Sequence, residues 1–197
     1  MVQWKELSKN ARVALCLIYA EKMIPKIKTM IDSHDKSEQY LQGKQQLDDI
    51  LGLAWHHLKG KEQVDWSEMY YLCSEGLGWT DDVKYNGGGY FDFIWALNGS
   101  NDKDAIAISV MMLNCFYYAM YIFAKRQNDN IPSDMEWFDC DEGEEEAFVS
   151  IDKAVNLFIA SDELHKISIL KDTLHRRFPF CQINPYGEYI IKENLFL

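Results

Sequence analysis

Along this chain apolar residues recur at helical spacing, and a single stretch is apolar on every side. After a capping residue at Ser8, Val13, Leu17, Ala20, Ile24, Ile27 and Ile31 follow at steps of three and four, the stripe of a helix that buries one face. Pro25 removes a backbone donor inside that stripe, so a kink or restart is expected there. The polar residues Asp32 to Ser37 then connect to a second helix, where Leu47, Ile50, Leu51, Ala54, Trp55 and Leu58 repeat the pattern before Gly60 stops it. Asp65 and Glu68 have capping-box spacing at the head of a short third helix with Met69, Tyr70, Leu72 and Cys73.

The exceptional stretch, Ala105 to Ala124, reads AIAISVMMLNCFYYAMYIFA; Asp102, Lys103 and Asp104 precede it, and Lys125 and Arg126 follow. A helix apolar all round lies in the middle of a core or in lipid, and about 20 residues suffice to cross a bilayer. Ser109, Asn114, Tyr117, Tyr118 and Tyr121 fall in mid-segment, where polar atoms weaken the lipid signal but find partners in a core. The core reading is adopted over that of a small membrane protein, with the flanking amphipathic helices as cover.

Between Glu75 and Ser100 the periodicity breaks down, with six glycines among Trp79, Tyr85, Tyr90, Phe91, Phe93 and Trp95. This reads as a long loop and then a helical turn near Phe91 to Leu97. Its triple glycine lacks the GK[ST] of a phosphate loop, and no dinucleotide fingerprint is present. Pro132, Ser133 and Glu136 signal a short helix capped at Ser133. A helix from about Glu144 carries Phe148, Ile151, Val155, Phe158 and Ile159, and Ser161 to Glu163 open the last long one, with Leu164, Ile167, Leu170 and Leu174, ending before Pro179. Asn184, Pro185 and Gly187 mark turns before YIIKENLFL, a short strand or docked extended segment. The expected fold is all-α: one domain over residues 1–197, a bundle of about seven helices around the central apolar one.

An apolar content of 48% with 14% aromatics excludes a disordered chain. Cys16, Cys73, Cys115, Cys140 and Cys181 are widely spaced without a CxxC pair, which suits reduced core thiols in a cytoplasmic protein and argues against zinc. The polar start, MVQWKELSKN, has no signal-peptide core. The net charge of −11 is concentrated: ten acids and no Lys or Arg lie between Gln127 and Asp152. Such a run repels phosphates, so neither nucleic acid nor an anionic membrane is expected as a partner, while a basic protein is favoured. A solvated acidic surface that keeps the protein soluble is the plainer reading of the same charges.

No catalytic or metal constellation emerges. His56 and His57 are adjacent on a helix and point about 100° apart, which prevents both from easily binding one metal. Asp162 with His165 and Asp172 with His175 lie about 15 Å apart along one helix and on different faces. GxSxG, HExxH, GxxxxGK[ST] and EF-hand spacings are absent. No cofactor is expected. An enzyme would have to build its pocket on the aromatic, glycine-rich loop 79–95.

The segments ARVALCLIYAEKMIPKI, ILGLAWHHLKGKEQVDWSEMYYLCSE, LNCFYYAMYIFAK and IPSDMEWF, in this order and spacing, resemble the sixth immunity-protein family of bacterial polymorphic toxin systems. The resemblance runs from about Ser8 to Leu174, and the tail after Pro179 lies outside it. It implies an all-helical protein of contact-dependent inhibition type, made beside a toxin and neutralising it by binding, and it offers no catalytic positions. The contact candidates are therefore physical: Asp139, Asp141, Glu142, Glu144, Glu145 and Glu146 as the charged patch, with Trp137 and Phe138 as aromatic anchors. For Trp137, a staple beneath the short helix is the competing role.

Overall fold

A computed structural model describes residues 2–34, 38–60, 64–74, 94, 101–127, 131 and 133–195. Helices run over Lys9–His34 (α1), Glu38–Leu58 (α2), Trp66–Ser74 (α3), Lys103–Gln127 (α4), Asp141–Phe158 (α5) and Ser161–Arg177 (α6), with short 3-10 helices at Trp4–Glu6, Ser133–Asp139 and Lys192–Leu195. The protein is all-α: among the described residues the strand-like pairing is one isolated antiparallel bridge, Leu7 with Pro179. Of the glycine-rich stretch only Ile94 is described, helical and buried; the rest of loop 79–95 lies outside the described residues.

The largest interface between elements joins α4 to α1. The side-chain oxygen of Asp102 accepts from the amides of Asp104 (2.9 Å) and Ala105 (3.3 Å), capping α4 where its charges end. The helix is long and apolar enough to cross a membrane, yet 72% of its most apolar window is buried by the rest of the protein. Its cover is more than an amphipathic stripe. Every residue of α1 from Ala11 to Ala20 is buried, Arg12 included, so two helices rather than one form the centre. α2 lays Leu47, Ile50, Ala54, Trp55 and Leu58 on this pair, α3 adds Trp66, Tyr70 and Cys73, and α5 adds Phe148, Ile151, Ala154 and Val155.

Two boundaries differ from the sequence expectation for physical reasons. α1 continues through Pro25 to His34 without a break. The proline ring is exposed, Ile24 and Ile27 on either side are buried, and the burial of those side chains outweighs one lost hydrogen bond. α5 starts at Asp141 rather than Glu144, because Cys140 caps it: its Sγ accepts from the amide of Gly143 at 3.3 Å.

The tail is docked, with no strand among its described residues; within YIIKENLFL, Lys192–Leu195 form a 3-10 helix where a strand or an extended segment was expected. Acceptors for the first turn of α1 come from the tail and from Ser8: Lys9 donates to the Pro185 carbonyl (2.9 Å) and Asn10 to that of Tyr186 (3.1 Å), while Ala11 donates to the Ser8 hydroxyl (3.3 Å). These amides have no partner within a helix, so the tail completes the cap that Ser8 begins. Gly187, at φ +72, passes so close that an added Cβ would lie 2.7 Å from the Ser8 hydroxyl. Farther on, Ile190 donates to the Leu58 carbonyl at 2.9 Å, and Lys192 pairs with Glu21 at 2.6 Å.

Candidate functional site

The acidic run folds into two consecutive pieces, the 3-10 helix Ser133–Asp139 and the start of α5. With three residues per turn, Met135 and Phe138 of the 3-10 helix face the same way, and both are buried. Phe138 is 5% exposed and packs on Tyr118 and Tyr121 of α4. Its expected role as a surface anchor is thereby corrected: it is a core residue, driven inward by an apolar ring that the tyrosines accept. Trp137 is 40% exposed and lies against the first turn of α5, where Gly143 makes room for it; a Cβ there would stand 2.1 Å from the Trp137 carbonyl oxygen and 2.7 Å from its indole nitrogen.

The carboxylates divide in the same way. Glu144 is at the i−4 position from Phe148 and so lies on the buried stripe of α5. It accepts from Arg12 at 2.6 Å and from the Tyr118 hydroxyl at 2.6 Å. Arg12, its side chain 5% exposed, also donates to the carbonyls of Leu7 (3.0 Å) and Lys5 (3.3 Å). Such a buried pair is worth keeping only when its remaining hydrogen bonds are satisfied, as they are here. Asp139 binds the Tyr121 hydroxyl and the Lys125 ammonium, and these two bonds hold its carboxyl below the usual range. Asp152, at the end of the run, accepts from the Trp4 indole at 2.8 Å and pairs with Lys171 at 3.2 Å.

Of the six acids expected at the contact face four remain, and Glu136 on the 3-10 helix is exposed as well. Asp141, Glu142, Glu145 and Glu146 are exposed and have no cation within 4 Å among the described residues. The first two are stabilised by the positive end of the α5 dipole, an effect that fades after the first turn. Near Glu144 and Asp139, Lys9 is half-buried and makes no ion pair among the described residues; its ammonium stands 5.9 Å from the Tyr121 ring. Burial lowers its pKa, against the opposing pull of Glu144.

Six of the expected contact residues thus sit on the surface and two, Phe138 and Glu144, are turned inward. The sequence reading missed the polar network that holds the face: Arg12, Tyr118, Tyr121 and Lys125. A lone arginine inside NARVALCLIYA is a signal that could have found it, since a charge on a buried stripe requires a partner. The histidines show no joint site. His56 is exposed, whereas His57 is buried and accepts the Trp66 indole N–H on Nδ1 at 3.0 Å. Among the described residues no group of three or more His, Cys, Asp or Glu could hold a metal ion. The chain matches no protein-family model, no curated protein and no solved structure.

Proposed function

We propose that this chain is an immunity protein that binds and neutralises the domain of a bacterial toxin encoded beside it, using the start of α5 and the exposed edge of Trp137. The observation that carries the reading is the charge of Asp141, Glu142, Glu145 and Glu146, which has no counter-ion among the described residues, set next to acids whose charge is consumed by Arg12, Lys125 and Lys171. Acids left without counter-ions on a rigid helix start attract a basic domain over distances near the Debye length and repel phosphate-bearing partners. A nuclease-type toxin has a basic substrate cleft, and an acidic face would both speed encounter with it and occlude it. The resemblance to the sixth immunity family supports the biological setting: action in the cytoplasm of the producing cell, by binding, without catalysis or cofactor.

Co-expression of the neighbouring toxin domain with this chain tests the reading. Wild type is expected to restore growth, and the four-fold variant Asp141→Lys, Glu142→Lys, Glu145→Lys, Glu146→Lys is expected to lose protection at unchanged helicity. Full protection by that variant would overturn the assignment of the face. Failure of wild type to protect would overturn the function.

A further inference from the structure

The tail that caps α1 also builds a protrusion. Its start is fixed by the Phe180 amide donating to the Glu6 carbonyl at 2.9 Å, and its end by the Pro185 and Tyr186 carbonyls on α1. The turn is thus held at both ends, yet what it holds outward is apolar: Ile183 is 96% exposed and Phe180 43%. Single exposed aliphatic residues need no explanation. A pinned turn that presents two large apolar side chains within four residues is a different matter, since Ile183, at 96% exposure, contributes almost nothing to the core from its position.

The turn borders the acidic face. The Arg12 guanidinium pairs with Glu144 on one side, and the Phe180 ring centroid lies 5.8 Å from it, so Phe180 and the first turn of α5 are neighbours across one buried arginine. Interfaces commonly combine a few rigid apolar anchors with a charged surround, and preorganised anchors cost little ordering entropy on binding.

We propose that the turn from Phe180 to Ile183 is the apolar half of the contact face, and that its occupant is a basic protein domain presenting an apolar hollow rimmed by Lys or Arg. The inference rests on the reading that the start of α5 meets such a domain. Charge complementarity selects this occupant: a second copy of the chain would set two uncompensated acidic runs side by side, and an anionic lipid surface would be repelled. The anchors act on dissociation and the acids on encounter, which separates the two halves of the face in kinetics.

The test uses wild type and the single variants Ile183→Ser and Phe180→Ser with the toxin domain encoded beside this chain, by surface kinetics and by maleimide labelling. Ile183 has almost no packing to lose, so its variant keeps the fold. Each variant is expected to dissociate about 10- to 100-fold faster, the equivalent of one buried apolar side chain, with little change in association rate. In the wild-type complex, labelling of both exposed thiols, Cys140 beside the acids and Cys181 in the turn, should slow at least about tenfold. Tight binding with protection of Cys140 alone and unchanged dissociation of both variants would overturn the anchor proposal and leave the acidic face standing. Absence of binding by wild type would overturn both. Concentration-dependent dimers abolished by Ile183→Ser would assign the turn to a second copy and contradict the proposal.

Discussion

Glu144 and Glu145 are adjacent in the chain and opposite in role. Glu144 closes a pair with a buried arginine, so Glu144→Ala strands the guanidinium and is expected to destabilise the protein by about 3 kcal/mol in urea unfolding. Glu145→Ala removes an exposed charge and should stay within about 0.5 kcal/mol. Equal effects would refute the division of the run into structural and free acids. That division was legible in the helix phase, because Glu144 continues the stripe of Phe148, Ile151 and Val155; what the sequence does not contain is its partner, 132 residues away. A second test at this scale uses alkali. Burial raises Tyr19, Tyr118 and Tyr121 well above the ordinary phenol value, with Asp152, Glu144 and Asp139 adding to it respectively. A phenol that keeps its proton in the fold contributes stability that is complete below its unfolded pKa near 10 and is lost as pH rises beyond it. Absorbance titration should therefore show these three of the eleven tyrosines ionising only with unfolding, above about pH 10. Smooth ionisation of all eleven in the folded protein would contradict their burial.

At the scale of elements, the helices were readable wherever an apolar stripe met a capping residue: Ser8, Asp65 and Asp102 each stand at a helix start. The short 3-10 helix was readable only in part, since its period of three, not 3.6, decides that Phe138 turns in and Trp137 out. For the tail, docking was readable but the surface it docks on was not. Its bonds are made to α1 and α2, more than a hundred residues distant, and no local pattern encodes them. Gly143 offers a test of how the two acidic pieces fit. Gly143→Ala brings a methyl into the Trp137 carbonyl, so it should cost about 1–3 kcal/mol as overpacking does, and should shift Trp137 emission toward that of a freer indole. A neutral effect on both would mean that Trp137 does not seat on α5.

For the whole molecule, the sequence pointed to one central helix and the fold places two there, α1 and α4. The stripe Val13, Leu17, Ala20, Ile24, Ile27 and Ile31 marks one face of α1, yet from Ala11 to Ala20 the other faces are buried too, Arg12 with Glu144, and burial narrows to one face only from Glu21 onward. Amide exchange should accordingly be slowest in Ala11 to Ala20 and in Ala105 to Ala124 together, at the level of global unfolding. Fast exchange in either segment would contradict the paired core. On that core rests a face with four exposed acids that pair with no cation among the described residues, and the central claim is that those acids steer a basic partner. The most direct measurement is the association rate of the toxin domain with wild type and with the Asp141, Glu142, Glu145, Glu146 charge reversal, followed from low to high salt. Long-range attraction predicts association slowed by about one to three orders of magnitude in the variant at low salt, with the difference largely erased once exposed charges are screened over about 10 Å or less. Equal rates and equal salt slopes for the two proteins would contradict it.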